Sequence, residues 1–572
     1  MTLKRNKAKI SDLTAELKAF ALKVGAETVG VAPVERYAPA PIGFKPTDHL
    51  PGARSVVAFI VPQLDGYCDS APSLSYQQFG YFFKNLYIDR IAWEIARFLD
   101  DRGYWAMPYC REGQTTSQAE GMNPNPFTER NYRDKEKAPK IKTWMRGDIS
   151  MRKSAEAAGL GRIGVNGLLL TTDYGPRNRM GLCITTAELE ADPLIEDEIC
   201  NDCYACVREC PGQAISEKGP SEFDPVKCSL KVMGRFGESY EPALKQAVNR
   251  SKMAWDDETR LRGDARFIVY HNFVSTGRCG TRCVNACPIG KKRTTRSMSP
   301  LEPADIKAKA RALGADIVGI ASADRLANEP EGFKPTDLLP GAKSVVTVGI
   351  RQLQTYMQMA PDAPYAMYGY RQKNDQINSI LWHTARQIER VGYAAMPIEA
   401  YAEGELFVDT TALPGRAERK MKAKAQIKGS FSHVHAAVQA GLGEVGLNGQ
   451  FLSPEYGPRV HLGSIITTAP LAADPLFQGK VCEGEKCNKC VEACPANAIG
   501  AKGKLSDVDC LIAMDKLTTN YEDTIRKMLE EQAKEEVQKR AAWAIGYTDF
   551  SGIGYCGIPC VNACPVGNKA LK

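Results

Sequence analysis

The chain has 572 residues, of which 44% are hydrophobic and 25% charged, with a net charge of +7 at pH 7. That length exceeds a single core, the balance excludes wholesale disorder, and the small positive excess permits an acidic protein partner but is no nucleic-acid footprint. No run of about 18 apolar residues occurs. The opening MTLKRNKAKISDL has neither an apolar export core nor a twin arginine, so a cytoplasmic protein without a membrane span is expected.

In chain order, an amphipathic helix is expected from about Ile10 to Val24, then a short apolar strand from Thr28 to Ala32. The turn PGARSVV leads into a second strand reaching about Val61, and a long helix follows through DRIAWEIARFLDDRG. RKSAEAA reads as a further helix that ends at Gly159. The same succession then returns. A helix from Ile306 to Leu313 precedes a strand from Ile317 to Ile320, PGAKSVV starts a strand reaching about Ile350, and SILWHTARQIERVG and VHAAVQA read as helices. Alternating strands and helices imply an α/β fold, a sheet covered by helices.

The return is a repeat of sequence. GFKPTDHLPGARSVV begins at Gly43 and GFKPTDLLPGAKSVV at Gly332, 289 residues later. GLGRIGVNG from Gly159 matches GLGEVGLNG from Gly441 at an offset of 282, and VNACPIG from Val284 matches VNACPVG from Val561 at 277. Order is kept while the offset drifts, as short loop insertions and deletions in two copies of one unit would produce. SMSPLEP, from Ser297, marks the seam.

Sixteen of the 19 cysteines fall into two equivalent sets. Cys200, Cys203, Cys206 and Cys210 form C-x2-C-x2-C-x3-C followed by Pro211, and Cys228, Cys279, Cys283 and Cys287 follow. In the bacterial ferredoxin run three thiolates grip one cluster and the fourth cysteine serves the other. By that crossing, Cys200, Cys203, Cys206 and Cys287 would hold one [4Fe–4S] cluster, and Cys210, Cys228, Cys279 and Cys283 a second. Cys482, Cys487, Cys490, Cys494, Cys510, Cys556, Cys560 and Cys564 repeat the set, with four residues instead of two between Cys482 and Cys487. Four [4Fe–4S] clusters are expected. Zinc is the competing occupant, but zinc sites need no three-cysteine run ending in Cys-Pro. Cys68, Cys110 and Cys183 remain, and buried free thiols are expected there.

GLGRIG and GLGEVG satisfy GxGxxG. Each follows a helix where a dinucleotide site needs a preceding strand, so Gly159 and Gly441 read as helix C-caps. These glycines could also let the backbone approach a large flat ligand.

GLGRIGVNGLLLTTDYGPR and GLGEVGLNGQFLSPEYGPRVHLGSIITTAPLAADPL, each followed by the cysteine run, resemble the epoxyqueuosine reductase and reductive dehalogenase superfamily. The resemblance implies, in each repeat, a nitroreductase-like α/β domain able to hold cobalamin, followed by a small ferredoxin-like domain with two [4Fe–4S] clusters. The expected division is 1–195, 196–297, 298–477 and 478–572. Gly159, Gly161, Gly164 and Asn166, with Gly441, Gly443, Gly446 and Asn448, would then border the corrinoid. Epoxyqueuosine reductases carry an acid ahead of the AGLG loop. Asp148 stands near that place in RGDISMRKSAEAAGLG, while KGSFSHVHAAVQAGLG has none.

Asp148 is accordingly a candidate proton donor, Tyr174 and Tyr456 candidate phenolic donors, and Arg177 and Arg459 candidate anion stabilisers. His433 and His435 are two residues apart and would point away from each other on a helix. The basic stretches KEKAPKIK and RAERKMKAKAQIK could dock an acidic donor. An oxidoreductase is expected, fed by a low-potential donor of ferredoxin or flavodoxin type and acting on a small molecule with a cleavable carbon–heteroatom bond. The alternative is an electron-transfer protein that relays electrons between partners.

Overall fold

The computed structural model describes residues 2–40, 44–70, 75–109, 149–224, 227–228, 279–290, 300–358, 372–398, 431–500, 503, 505–506, 510 and 558–567. The chain divides into two units, Met1–Arg296 and Ser297–Lys572.

In the first unit the helix Thr2–Lys23 leads into β1 (Thr28–Pro33), and β2 (Ser55–Pro62) folds back beside it. The helix Lys84–Asp100 precedes β3 (Ala106–Tyr109). The helix Met151–Ala157 is followed by the small hairpin β4 (Arg162–Ile163) and β5 (Leu169–Leu170), and then by β6 (Asn178–Thr185). The main sheet has the order β1-β2-β6-β3, and every pairing in it is antiparallel. All eight residues of β2 are buried, as expected for an unbroken apolar run lying between two covering layers.

The alternation of side chains sorts the two faces. Val56, Ala58, Ile60, Leu182 and Ile184 pack with Ala155 and Ala158 of the short helix. On the other face a Cβ at Gly181 would strike Phe59 and Ile88, so only glycine lets the helix Lys84–Asp100 come this close.

The second unit has the helix Pro303–Ala312, β7 (Ile317–Ser322), β8 (Ser344–Arg351), the helix Lys373–Arg390, β9 (Ala395–Ile398), the helix His433–Gln439, the hairpin of β10 (Glu444–Val445) and β11 (Phe451–Leu452), and β12 (Val460–Thr467). Its sheet order is β7-β8-β12-β9, again antiparallel throughout. The fold is mixed α/β, in several small sheets.

One acid pins the first strand of each unit, β1 and β7. Asp192 accepts from the backbone N–H of Val31 at 2.7 Å and from Lys18 at 2.6 Å. Asp474 does the same for Ile320 at 2.8 Å and pairs with Lys307.

Candidate functional site

The glycine loop begins where a helix runs out. Ser150 caps the helix Met151–Ala157 at its start, Ala158 ends it, and Gly159 turns the chain with φ +71°. Gly441 does the same at φ +72° after His433–Gln439. This is the left-handed C-cap that glycine adopts without steric cost.

The space beside these glycines is filled by the chain itself. A Cβ would lie 2.1 Å from the Pro193 carbonyl oxygen at Gly159, 2.3 Å from that of Leu170 at Gly161, and 2.6 Å from the Leu170 side chain at Gly164. Gly441, Gly443 and Gly446 meet Pro475 and Leu452 at 2.0, 2.1 and 2.4 Å. The close approach that the glycines permit is therefore to Leu170, Pro193, Leu452 and Pro475, where the sequence suggested a flat ligand. Asn166 and Asn448 are buried, and their side-chain oxygens accept from the N–H groups of Leu168 and Gln450.

Past this loop lies a cavity walled by cysteine. Cys200, Cys203, Cys206 and Cys287 line it together with Val165, Asn166 and Leu170. In the second unit Cys482, Cys487, Cys490 and Cys564 line a cavity with Leu447, Asn448 and Leu452. The loops assigned to a corrinoid thus form one wall of each cysteine cavity.

The other cysteines of the first unit gather nearby. Burial pushes the Cys283 thiol up, and Cys228, Cys279 and Cys210 beside it add to the effect. Cys228 is pushed up to about 12 by burial, then by Cys279 and Cys210. Cys206 is raised by burial, with Cys287 and Cys200 as its thiol neighbours. Cys200, Cys203, Cys206 and Cys287 thus share a cavity, while Cys210, Cys228 and Cys279, with Cys206, are the thiol neighbours of Cys283; among the described residues no three of these side chains are placed to hold a single metal ion. In the second unit Cys494, Cys510 and Cys560 are the remaining described cysteines; Cys556 lies outside the described residues, as do Cys110, Asp148 and both basic stretches.

The backbone around these thiols is unusual. Among the described residues, the non-glycine positions with left-handed φ are Asp202, Tyr204, Gln213, Thr281, Asn488, Asn497 and Ile558, all within the cysteine segments. For a β-branched residue such as Ile558, at φ +45°, that conformation is strained. Alternating right- and left-handed residues turn successive N–H groups inward and form a nest for an anionic centre, a geometry found at many iron–sulfur sites. Several N–H groups already point at sulfur: Ala214 at Cys210, Ala498 at Cys494, and both Leu447 and Gly484 at Cys482, each at 3.4 Å. The two extra residues between Cys482 and Cys487 are taken up by a single 3-10 turn, Gly484–Lys486.

The YGPR segments brace the cavities. Gly175, at φ +51°, lies so close to the chain after Cys287 that a Cβ would come within 2.0 Å of the Ile289 carbonyl oxygen; Gly457 meets Val566 at 2.2 Å. Tyr174 is buried, and its hydroxyl donates to Glu27 at 2.8 Å. Tyr456 is half-buried and packs against the core beside Val460 and Leu462.

Both arginines are buried, but they take different partners. Arg177 pairs with Asp65 and Asp69, each at 2.5 Å. Arg459 donates to the carbonyls of Val566, Val561, Asn562 and Cys564 at 2.8 to 3.2 Å. The side chains expected to meet an anion are thus committed to the protein, Arg177 to carboxylates and Arg459 to the loop that carries Cys564. His433 and His435 bond to Ser464 and Glu329 respectively, and do not converge. Cys68 and Cys183 are buried free thiols.

Several residues at the site carry no motif. Asn285 and Asn562, each in the turn of helix between two cysteines, donate to the carbonyls of Cys68 and Met357, both at 2.8 Å. Glu444 accepts from the N–H groups of Val481 and Cys482. Lys84 and Lys373 are buried at equivalent places, the first bonded to Tyr67 at 2.8 Å and the second to Gln352 at 3.3 Å. Their signal in the sequence is the repeat itself, since KN recurs 289 residues apart and VNACP 277 apart.

No family model matches the chain. Among curated proteins, tetrachloroethene reductive dehalogenase of Dehalobacter restrictus is 31% identical over 201 residues, covering 34% of this chain and 28% of the relative. Epoxyqueuosine reductase of Bacillus cereus is 25% identical over 253 residues, covering 39% and 59%. This chain belongs to the epoxyqueuosine reductase and reductive dehalogenase superfamily. It matches less than two thirds of the length of these superfamily relatives. The solved structure of a catabolic superfamily member, reductive dehalogenase NpRdhA, aligns with 86% of the chain and 67% of its own at 18% identity and a TM-score of 0.28. That overlay is too loose to add to the match in sequence. No helix among the described residues is long and apolar enough to cross a membrane.

Proposed function

We propose that the chain is an iron–sulfur oxidoreductase built as a tandem duplication, each repeat an α/β domain followed by a ferredoxin-like domain with two [4Fe–4S] clusters. The single observation that carries this reading is that Cys287, 81 residues after Cys206, lines one cavity with Cys200, Cys203 and Cys206, the crossing expected of the ferredoxin run, which would leave Cys210 to Cys228, Cys279 and Cys283. Four thiols spread around a cavity suit a cubane, whose ligands sit on separate irons. A zinc ion would draw them to one point, with each sulfur about 2.3 Å from the metal. The nest of N–H groups fits the same occupant, which would supply one-electron transfer.

The protein's own contribution is to hold the thiols and lower the cost of thiolate charge. Burial raises thiols such as Cys206, Cys228 and Cys283, a rise that iron, once bound, would oppose, and the N–H groups of Ala214, Ala498, Leu447 and Gly484 at sulfur would help to carry thiolate charge. The superfamily relatives are reductases by name, and reduction of a small molecule with a cleavable carbon–heteroatom bond is the activity proposed here. Electrons would enter from a low-potential donor of ferredoxin or flavodoxin type. One solved epoxyqueuosine reductase carries a tRNA stem loop, so RNA belongs among the substrates to be assayed.

The chain itself occupies the space beside each loop glycine, so the glycines are explained without a corrinoid, and no step is drawn through that group. This same observation favours a second reading, an electron-relay protein without a corrinoid. The deciding experiment is iron and cobalt analysis with electron paramagnetic resonance on protein purified without oxygen. About sixteen irons per chain support the proposal. Cobalt alongside them directs the search to dehalogenation and epoxide reduction, whereas none after reconstitution with cobalamin selects the relay. Zinc in place of iron overturns both.

A further inference from the structure

The two motif arginines occupy equivalent positions, 282 residues apart, yet among the described residues only Arg459 keeps its charge free of carboxylates. Arg177 is bound by Asp65 and Asp69. The residues 289 positions later are Gln354 and Gln358. There the guanidinium of Arg459 turns to four carbonyls of the segment from Val561 to Val566, including that of the cavity cysteine Cys564. The two places share a common plan. Each arginine follows a Tyr-Gly-Pro turn whose glycine abuts the chain after the last cysteine. Each neighbouring turn of helix is docked by the same asparagine bond, from Asn285 to Cys68 and from Asn562 to Met357. What differs around the two arginines themselves is the charge of two side chains.

Reduction of a cluster adds one negative charge to it, so a nearby uncompensated cation favours the reduced state and raises the potential. Carboxylates that neutralise the cation remove that effect. In a site with little water the effect is felt more strongly than at a surface. We propose that positions 65 and 69, and their counterparts 354 and 358, tune the reduction potential of the cluster against whose cysteine segment each Tyr-Gly-Pro turn packs: the aspartates hold down that of the 200/203/206/287 cluster, and the glutamines let Arg459, bonded to the Cys564 carbonyl, raise that of the 482/487/490/564 cluster. This inference rests on the iron–sulfur reading above.

The two native sites are not themselves the comparison, since Glu444 places a carboxylate on the N–H of Cys482 in the second unit while the equivalent residue, Arg162, pairs with Glu198 in the first. Exchanging the pairs within each unit isolates the effect. The full chain is purified without oxygen as wild type, as Asp65→Gln/Asp69→Gln and as Gln354→Asp/Gln358→Asp. Iron content is measured, and each protein is titrated with reductant while resonance spectra are recorded.

In the first variant one cluster component should rise by about a tenfold change in its reduction equilibrium, ~59 mV for one electron. In the second variant a different component should fall by a similar amount. Unchanged potentials in both, shifts of the opposite sign, or loss of iron from either variant would overturn the proposal, the last because it would make the four residues structural. Absence of clusters from the wild type would instead sink the iron–sulfur reading.

Discussion

Asn562 donates to the carbonyl of Met357 at 2.8 Å and so ties the turn of helix between Cys560 and Cys564 to a helix of the α/β layer. Neither residue belongs to the cysteine sets, yet the bond fixes where two of the proposed cluster ligands stand. Asn562→Ala leaves a half-buried carbonyl unpaired, at a cost of about 1–3 kcal/mol. The expected result is faster release of iron to a chelator with the iron content at purification unchanged. Release at the wild-type rate would show that the bond is incidental.

Gly457 offers a sharper test of the brace. Alanine there would take a left-handed φ costing roughly 1–2 kcal/mol and would also collide with the Val566 carbonyl oxygen, 2.2 Å from its Cβ. Gly103 is also left-handed, at φ +82°, but has nothing within 4 Å. Gly457→Ala should therefore be purified with about four fewer irons, while Gly103→Ala keeps its full complement and loses about 1 kcal/mol of stability. Equal iron in the two would contradict the assigned role of the Tyr-Gly-Pro turn.

The ligand assignment is tested by contrast between two buried cysteines. Cys287→Ala should lose one cluster, about four irons, because Cys287 lines the cavity with Cys200, Cys203 and Cys206. Cys68, whose thiol burial pushes up to about 12, should be dispensable for iron. A full iron count in Cys287→Ala would break the crossing pattern.

Lys373 predicts a pH dependence. Burial lowers its pKa to about 7 in the folded protein, while the unfolded lysine keeps its proton up to about 10.4. Between those values the unfolded chain binds more protons, so stability should rise with pH from about 7 to about 10, at no more than roughly 1.4 kcal/mol per pH unit. Denaturation midpoints at both ends of the window should show the rise in the wild type and a flatter profile in Lys373→Met. A wild type that loses stability over this window would refute the assignment.

The first two strands of each unit and the long helices were legible because burial imposes short-range periodicity on sequence: SVVAFIVP reads as a strand, and its counterpart SVVTVGIR repeats it, whereas β3, β6, β9 and β12 were not read. The C-cap glycines were legible for the same local reason. What the sequence could not carry was the destination of a polar side chain. Arg177 and Arg459 sit in identical YGPR motifs, yet their partners are chosen by residues about 110 positions away. Asp65 and Asp69 carry no motif, and nothing near Arg177 names them. The glycine loops misled for a related reason: a glycine announces that something comes close, not whether it is a ligand or the chain itself.

The 3-10 turn Gly484–Lys486 bears on how such proteins are found. It lengthens the interval between the first two thiols of the second cavity without removing either from the wall, so ligand position is governed by the loop's path and not by its count of residues. A pattern search demanding two residues in that interval would pass over the second unit and, on the proposed reading, report a protein with half its clusters. Inventories of redox proteins built on fixed spacing will undercount duplicated chains in this way, and the later cysteines with their trailing Cys-Pro are the steadier landmark.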